Sequence, residues 1–379
     1  MLSQNNKTFT VIAPKRPFSL DYFKGMVETD GSFQIQGTAF KAIFKLSQKT
    51  NTNWIPLTQK YLESHGIPSK IKQGGSSPQS RASDLLVTGK NNVRKVIALL
   101  RSEPGTQVIF TGGKMRDFLL MEEFVKNLHL STAQRLGIKK SMHKSNQLEP
   151  DLLGAGSTPR AMYESQLGLQ PGQSIVETTR ILNKIDDAYA KLQIQLRGEM
   201  QKGTLQVPLD SLSAVVDGDG GYYVYVGFKN PSKQYNKRWI LWQGNFILSL
   251  EINSILTAEI FCYMLNITAP IEKLVAGQGV NTGKPTSVKV HVRKQEEVQQ
   301  LLDLHKLAPL IGDSKNAELQ TVITLRRLKA ENSINLLENV QSLLKEMYRV
   351  SAISKKGRPR RLTLEEALQK AAIWLSNNK

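Results

Sequence analysis

Two short stretches repeat the same handover from helix to strand with a period of 189 residues (30 to 219), and this repeat constrains the fold more than any other feature of the sequence. The first runs from Tyr22 to Gln36. Phe23, Met26 and Val27 form an apolar helical stripe that continues to Thr29, and beyond Gly31 the period becomes two, with Phe33 and Ile35 alternating with Gln34 and Gln36. Asp30 stands at the helix end, beside unpaired carbonyls and the negative pole of the helix dipole, so a positive group is expected next to it. Gly31 suits the left-handed residue that often ends helices. The second stretch, Leu212-Ser-Ala-Val-Val-Asp-Gly-Asp-Gly-Gly-Tyr-Tyr-Val-Tyr-Val, repeats the handover. Its strand sets Tyr222, Val224, Val226 and Phe228 against Tyr223, Tyr225, Gly227 and Lys229.

The elements after each stretch match in order. In the first copy the pattern predicts an N-cap at Ser19, a strand over Lys41 to Leu46, a helix over Trp54 to His65, and a hairpin within Lys70 to Val87. A helix over Asn91 to Leu100 comes next, then a turn leading to Lys114 and a helix from Met115 to Leu128. The second copy predicts strands over Arg238 to Leu250, a helix over Ser254 to Leu265 and a strand over Ser287 to Val292. A helix over Gln295 to Leu304 and a turn to Lys315 lead to a helix over Asn316 to Lys329. The period is too long for a solenoid and fits two homologous half-domains. The chain divides into a first half-domain (1–130), a helical linker (131–208), a second half-domain (209–350) and a basic tail with a closing helix (351–379). The linker reads as a spacer with a long amphipathic pattern over Ile175 to Met200. In the tail, Lys355-Lys-Gly-Arg-Pro-Arg-Arg has a Gly-Arg-Pro core that resembles an AT-hook, whose arginines, here Arg358 and Arg360, lie in a minor groove; a solvated basic linker fits the same composition.

Alignment of the copies pairs Gly25 with Ala214, Thr29 with Gly218, Asp30 with Asp219 and Gly31 with Gly220. Small residues four apart on each helix let two helices approach backbone to backbone, so the halves are expected to dock there. Docking brings Asp30 and Asp219 to one end of the helix pair, where two like charges beside two negative dipole ends call for divalent cations. Oxygen ligands without His or Cys point to Mg²⁺, with Mn²⁺ as a substitute. Lys and Arg number 51 against 32 Asp and Glu, a net charge of +19, which favours a polyanionic partner such as nucleic acid. One cysteine, Cys262, excludes an internal disulfide and a thiolate zinc cluster, and no apolar run is long enough to span a membrane. Asp217-Gly-Asp-Gly has its Gly at the fourth position and no Glu at the twelfth, unlike an EF-hand. The five histidines show no ligand spacing, and the glycine-rich stretch from Ala276 lacks Walker spacing and reads as a hairpin turn.

The paired motif resembles that of the LAGLIDADG homing endonuclease and maturase family in its single-chain, two-motif form, over about Phe18 to Leu128 and Leu209 to Glu346. The resemblance implies an α+β fold: two pseudo-symmetric half-domains of αββαββα type, packed through the motif helices into a saddle whose concave face lies along the DNA major groove. It implies a monomer with pseudo-twofold symmetry. Gln34, Gln36, Thr38 and Lys45 in the first half, and Tyr223, Tyr225 and Lys229 in the second, would meet bases or phosphates. Asp30 and Asp219 would hold the metal for phosphodiester hydrolysis, Lys114 and Lys315 would offset charge in the transition state, and Gln48 would be a polar active-site residue. Leu250 at the position matching Gln48, and Thr52, depart from the family pattern. Two functions are open to this scaffold: a site-specific endonuclease on double-stranded DNA, or a protein binding structured RNA, either an intron maturase or an inactive component of an organellar ribonucleoprotein such as a ribosome. The family implies an organelle, mitochondrion or chloroplast.

Overall fold

The structure, a computed structural model, describes residues 18–49, 54–74, 82–101, 113–142, 160–229, 239–275, 285–354 and 362–376. The first half begins with α1 (Leu20–Asp30), capped by the Ser19 hydroxyl, which accepts from the Tyr22 N–H at 3.1 Å. It continues through β1 (Gly31–Gln36), β2 (Lys41–Lys49), α2 (Trp54–Ser64), β3 (Lys70–Gly74), β4 (Ala82–Thr88), α3 (Lys90–Leu100) and α4 (Gly113–Lys126). The linker contributes α5 (Thr132–Ser141), α6 (Arg160–Gln166) and the 30-residue α7 (Gln173–Lys202). The second half is α8 (Leu209–Asp219), β5 (Gly220–Lys229), β6 (Trp239–Glu251), α9 (Ile255–Met264), β7 (Ile271–Val275), β8 (Pro285–Val292), α10 (Gln295–Leu307) and α11 (Asp313–Ala330). α12 (Leu337–Ser354) and α13 (Leu364–Ser376) come after it. Among the described residues no helix is long and apolar enough to cross a membrane.

Each half builds one antiparallel four-stranded sheet, ordered β1-β2-β4-β3 and β5-β6-β8-β7. The registers agree: the motif glycines open the pairing at Gly31 with Leu46 and at Gly220 with Leu248. The strands expected over Arg238 to Leu250 are a single strand of 13 residues, because Ile240, Trp242, Phe246, Leu248 and Leu250 fall on one buried face without interruption.

Two cores result. Phe23, Phe33, Phe44, Trp54 and Phe124 fill the first; Val216, Phe246, Phe261, Val290 and Val322 fill the second. Helix α7, about 45 Å long at 1.5 Å per residue, contributes Ile185 to the first core and Leu196 to the second, so the linker is a strap across both halves. Ala367 and Ala371 of α13 join the second core, and the Trp374 indole N–H donates to the Lys229 carbonyl at 3.3 Å.

Helices α1 and α8 pack against each other, with Gly25 at a point of close approach. A Cβ there would sit 2.5 Å from the Ser211 carbonyl oxygen and 2.6 Å from the Ala214 Cβ, so the small-residue seam is a steric requirement. Hydrogen bonds across the halves frame the seam. Ser19 donates to Asp210, Ser211 donates to the Asp21 carbonyl at 2.7 Å, and Thr257 donates to Glu28 at 2.6 Å.

Candidate metal site and nucleic-acid face

Both motif helices run directly into strands. Gly31 (φ −74°, ψ 151°) and Gly220 (φ −80°, ψ 170°) are extended, so the expectation of a left-handed cap at Gly31 is corrected. Glycine is needed there for space: a Cβ on Gly31 or on Gly220 would stand 2.8 Å from the Cα of Val27 or Val216, one turn back in its own helix. The positive groups expected at the helix ends are lysines. Lys114 Nζ donates to the Thr29 carbonyl at 2.9 Å and to the Gly31 carbonyl, and Lys315 Nζ donates to the Gly220 carbonyl. Lys315 is buried and lies 3.7 Å from Glu318, which accepts from the Tyr222 N–H at 3.2 Å. Lys114 thus bonds a carbonyl of the helix end itself and Lys315 that of the capping glycine, each setting a cation where a C-terminal dipole favours one.

Asp30 and Asp219 are partly exposed, each the last residue of its motif helix. Asp30 Oδ2 accepts from Gln48 Nε2 at 2.9 Å, and a Cβ on Gly218 would lie 3.0 Å from that same oxygen. The Asp30 carboxylate therefore lies across the seam against the residue that precedes Asp219. Asp30, Gln48 and Lys114 come together on one side, and Asp219 and Lys315 on the other. The two sides differ at Leu250, which is buried at the position that Gln48 holds in the first half; Thr52 lies outside the described residues. Among the described residues no three His, Cys, Asp or Glu side chains gather as a ready cage. Two partly exposed carboxylates with hard oxygens fit Mg²⁺ or Mn²⁺, which take one or two carboxylates and fill the remaining positions with water and phosphate oxygens.

The motif holds a second acidic pair that the sequence alone does not set apart. Asp217 Oδ2 accepts from the Tyr22 hydroxyl of the other half and from the N–H groups of Ile311 (2.9 Å) and Gly312 (2.8 Å), at the start of α11. It thereby fixes the helix that carries Lys315. Glu28, its counterpart, takes the Thr257 hydroxyl of the other half. Burial pushes the Asp217 pKa up, opposed by the Tyr22, Gly312 and Ile311 hydrogen bonds and by Lys315. For an acid with a raised folded pKa, the stability contribution is full below the unfolded value and declines as pH rises through the folded one. Asp217→Asn is expected to flatten that decline, and Asp217→Ala to cost about 2–4 kcal/mol by taking the carboxylate acceptor from the Tyr22 hydroxyl and the Gly312 N–H and leaving the Ile311 N–H only its 3.3 Å bond to the Tyr22 oxygen. Urea unfolding across the acid-to-neutral range measures both.

The polar sheet faces carry the other candidates. Gln36 and Thr38 are exposed and Gln34 partly so. Gln36 Nε2 donates to Gln34 Oε1 at 2.9 Å, and Gln34 Nε2 to Ser32 Oγ at 3.1 Å, forming a ladder along β1. Lys45, opposite Ser32 in the register, pairs with Asp84 at 2.8 Å. In the second sheet Tyr223 and Tyr225 are 37% and 43% exposed, large aromatic surface open on a sheet face, with Lys229 also exposed. Register adds residues that sequence reasoning missed: Lys70 and Lys72 in β3, Gln243 beside Tyr225, and Lys289 and His291 in β8. The signal for the last two was present, since Lys289, His291 and Arg293 alternate with Val290 and Val292. Arg358 and Arg360 lie outside the described residues, as does the glycine-rich stretch from 276.

No family model matches the chain, and no curated protein matches it by sequence. Its fold matches solved structures over most of its length. The LAGLIDADG meganuclease I-AabMI bound to uncleaved DNA has a TM-score of 0.58 at 13% identity, with 87% of this chain and 98% of that one covered. I-SmaMI bound to uncleaved DNA in the presence of calcium ions gives 0.59 at 12%, covering 90% and 100%. The homing endonuclease I-GzeII in complex with its DNA target gives 0.57 at 11%, covering 91% and 99%. At these identities the likeness is one of fold: the chain has the two-motif LAGLIDADG fold, with two antiparallel sheets related through the α1–α8 seam.

Proposed function

We propose that this protein is a site-specific endonuclease that hydrolyses both strands of duplex DNA with divalent metal, each half of the one chain serving one strand. The observation that carries the reading is the placing of Asp30 and Asp219 at the ends of two docked helices, each end held by a lysine, in a chain of net charge +19. The solved structures of this fold give it further support: several are complexes with DNA, one of them with calcium.

Asp30 and Asp219 would hold the metal, which when bound polarises a scissile phosphate and makes its water more acidic. Gln48 orients the Asp30 carboxylate through its amide N–H. Lys114 and Lys315 hold the carbonyls around each motif glycine in place and set a positive charge beside the carboxylates, where it opposes the negative charge that develops on the phosphoryl oxygens. The polar faces of the two sheets supply side chains for base edges and phosphates, with Gln34 and Gln36 suited to adenine and Lys45, Lys229 and Lys289 to phosphate or guanine.

Cleavage of a DNA library with Mg²⁺, abolished by EDTA and restored by Mg²⁺ or Mn²⁺, tests this reading. In the same assay Lys114→Met and Lys315→Met are each expected to slow single-turnover cutting by about 100-fold with DNA affinity changed by only a few fold. Cutting that persists in EDTA, or lysine variants that cut at the wild-type rate, would sink the assignment of these roles.

A further inference from the structure

The two halves differ in one place where the repeat makes the comparison direct. Lys114 corresponds to Lys315 and Val93 to Val298, which sets Arg101 against Lys306, Phe118 against Leu319, Glu122 against Ile323 and Lys126 against Arg327. In the first half these residues close the gap between α3 and α4. Arg101 grips Glu122 with two nitrogens (3.1 and 2.6 Å), lies over the Phe118 ring at 4.9 Å, and shares Glu122 with Lys126 at 2.6 Å.

In the second half the cations remain and the carboxylate is gone. The gap between α10 and α11 is a groove of about 600 Å³, with Leu302, Leu319 and Ile323 among its apolar lining. Lys306, Arg326 and Arg327 line it together, and among the described residues no carboxylate belongs to the lining. Lys306 and Arg327 meet acids of their own helices, Asp303 at 2.7 Å and Glu331 at 3.6 Å, in exposed pairs of the kind that contribute little. Arg326 donates to the Gln295 carbonyl at 3.1 Å. Ile323, where the carboxylate would stand, is 38% exposed. His305 also lines the groove; it is buried, and its Nε2 makes no hydrogen bond among the described residues.

We propose that this groove docks an acidic amphipathic helix of a protein partner. The partner's apolar side chains would cover Ile323, with the buried Leu302 and Leu319 as the floor beneath, and its carboxylate would take the place that Glu122 holds between Arg101 and Lys126 in the first half. Charge selects the acid, since three cations face the groove. Ile323, exposed above a groove floor made by the buried Leu302 and Leu319, selects an amphipathic helix over a phosphate backbone, which has no apolar surface to offer it. α10 and α11 cover the apolar face of their sheet, so the groove lies on the side away from the polar face assigned to DNA. Both surfaces can be occupied together.

The test is fluorescence anisotropy on the full-length protein. The probe is a labelled helical peptide with leucines at i, i+4 and i+7 flanked by glutamates; a matched peptide with lysines for the glutamates and a folded RNA hairpin are the comparisons. Saturable binding of the acidic peptide, at least tenfold tighter than the basic one and weakened by salt, is the expected result. The double variant Lys306→Arg with Ile323→Glu installs the first half's clamp and is expected to weaken the peptide at least tenfold without lowering Tm. Arg327→Glu, which leaves the groove open, is expected to weaken it as well. Peptide affinity unchanged in both variants, no preference for the acidic peptide, or an RNA hairpin that binds through these same residues would overturn the proposal.

Discussion

Replacing Asp30 or Asp219 with asparagine is expected to lower single-turnover cleavage of both strands, read as linear product, by at least about a thousandfold while leaving DNA affinity unchanged or slightly tighter. Asparagine keeps the size of the side chain and one acceptor oxygen, so the Gln48 bond to Asp30 can survive. It removes the negative charge that a hard divalent cation needs. It also removes a charge that repels phosphate, so binding should not suffer. Because each carboxylate belongs to a different half, the single variants are expected to differ from the double in product: a single variant cuts one strand faster than the other and yields nicked circles, whereas the double yields intact plasmid. Supercoiled, nicked and linear forms resolved on a gel report this directly. Equal loss of both strands in each single variant would mean that one shared centre, rather than two, does the chemistry.

The second large effect concerns the seam. Gly25→Val is expected to cost about 3 kcal/mol or more, at the upper end of the overpacking range because the colliding groups include backbone. The added Cβ alone would meet the Ser211 carbonyl oxygen at 2.5 Å and the Ala214 Cβ at 2.6 Å, and neither can move without parting α1 from α8. Parting the helices also separates Asp30 from Gly218 and strains the Tyr22 contact to Asp217. Cleavage should therefore fall in the folded fraction as well. The midpoint of urea unfolding measures the first effect, and cutting assayed well below that midpoint measures the second. A variant with near wild-type stability would show that the seam carries slack the geometry does not reveal.

Much of this is legible in the sequence because the motif is written twice. Gly25 with Thr29, and Ala214 with Gly218, mark the seam through side-chain size alone, and the carboxylate at a helix end calls for a cation that Lys114 and Lys315 supply. The features that sequence does not reveal depend on partners remote along the chain. Asp217 reads as one more acid in a motif until Tyr22, 195 residues away, and the start of α11 are placed beside it. At Gly31 the residue type is right and the reason differs, since crowding against Val27 and a left-handed turn both demand glycine and only coordinates tell them apart. The amphipathic pattern of α7 is visible, yet its apolar positions serve two different cores, a division that periodicity does not encode. The groove between α10 and α11 emerges only from comparison of the halves, because Ile323 is unremarkable until it stands where Glu122 does.

Whether the paired motif cuts DNA is the central question. A plasmid library with randomised inserts, incubated with the wild-type protein and Mg²⁺ and sequenced at the broken ends, asks this without a target chosen in advance. Ends that cluster on one family of long sequences, and that vanish with the Asp30→Asn, Asp219→Asn double variant, are the expected result. Ends no more clustered than those of the double variant, from a protein that holds structured RNA more tightly than duplex DNA, would contradict it.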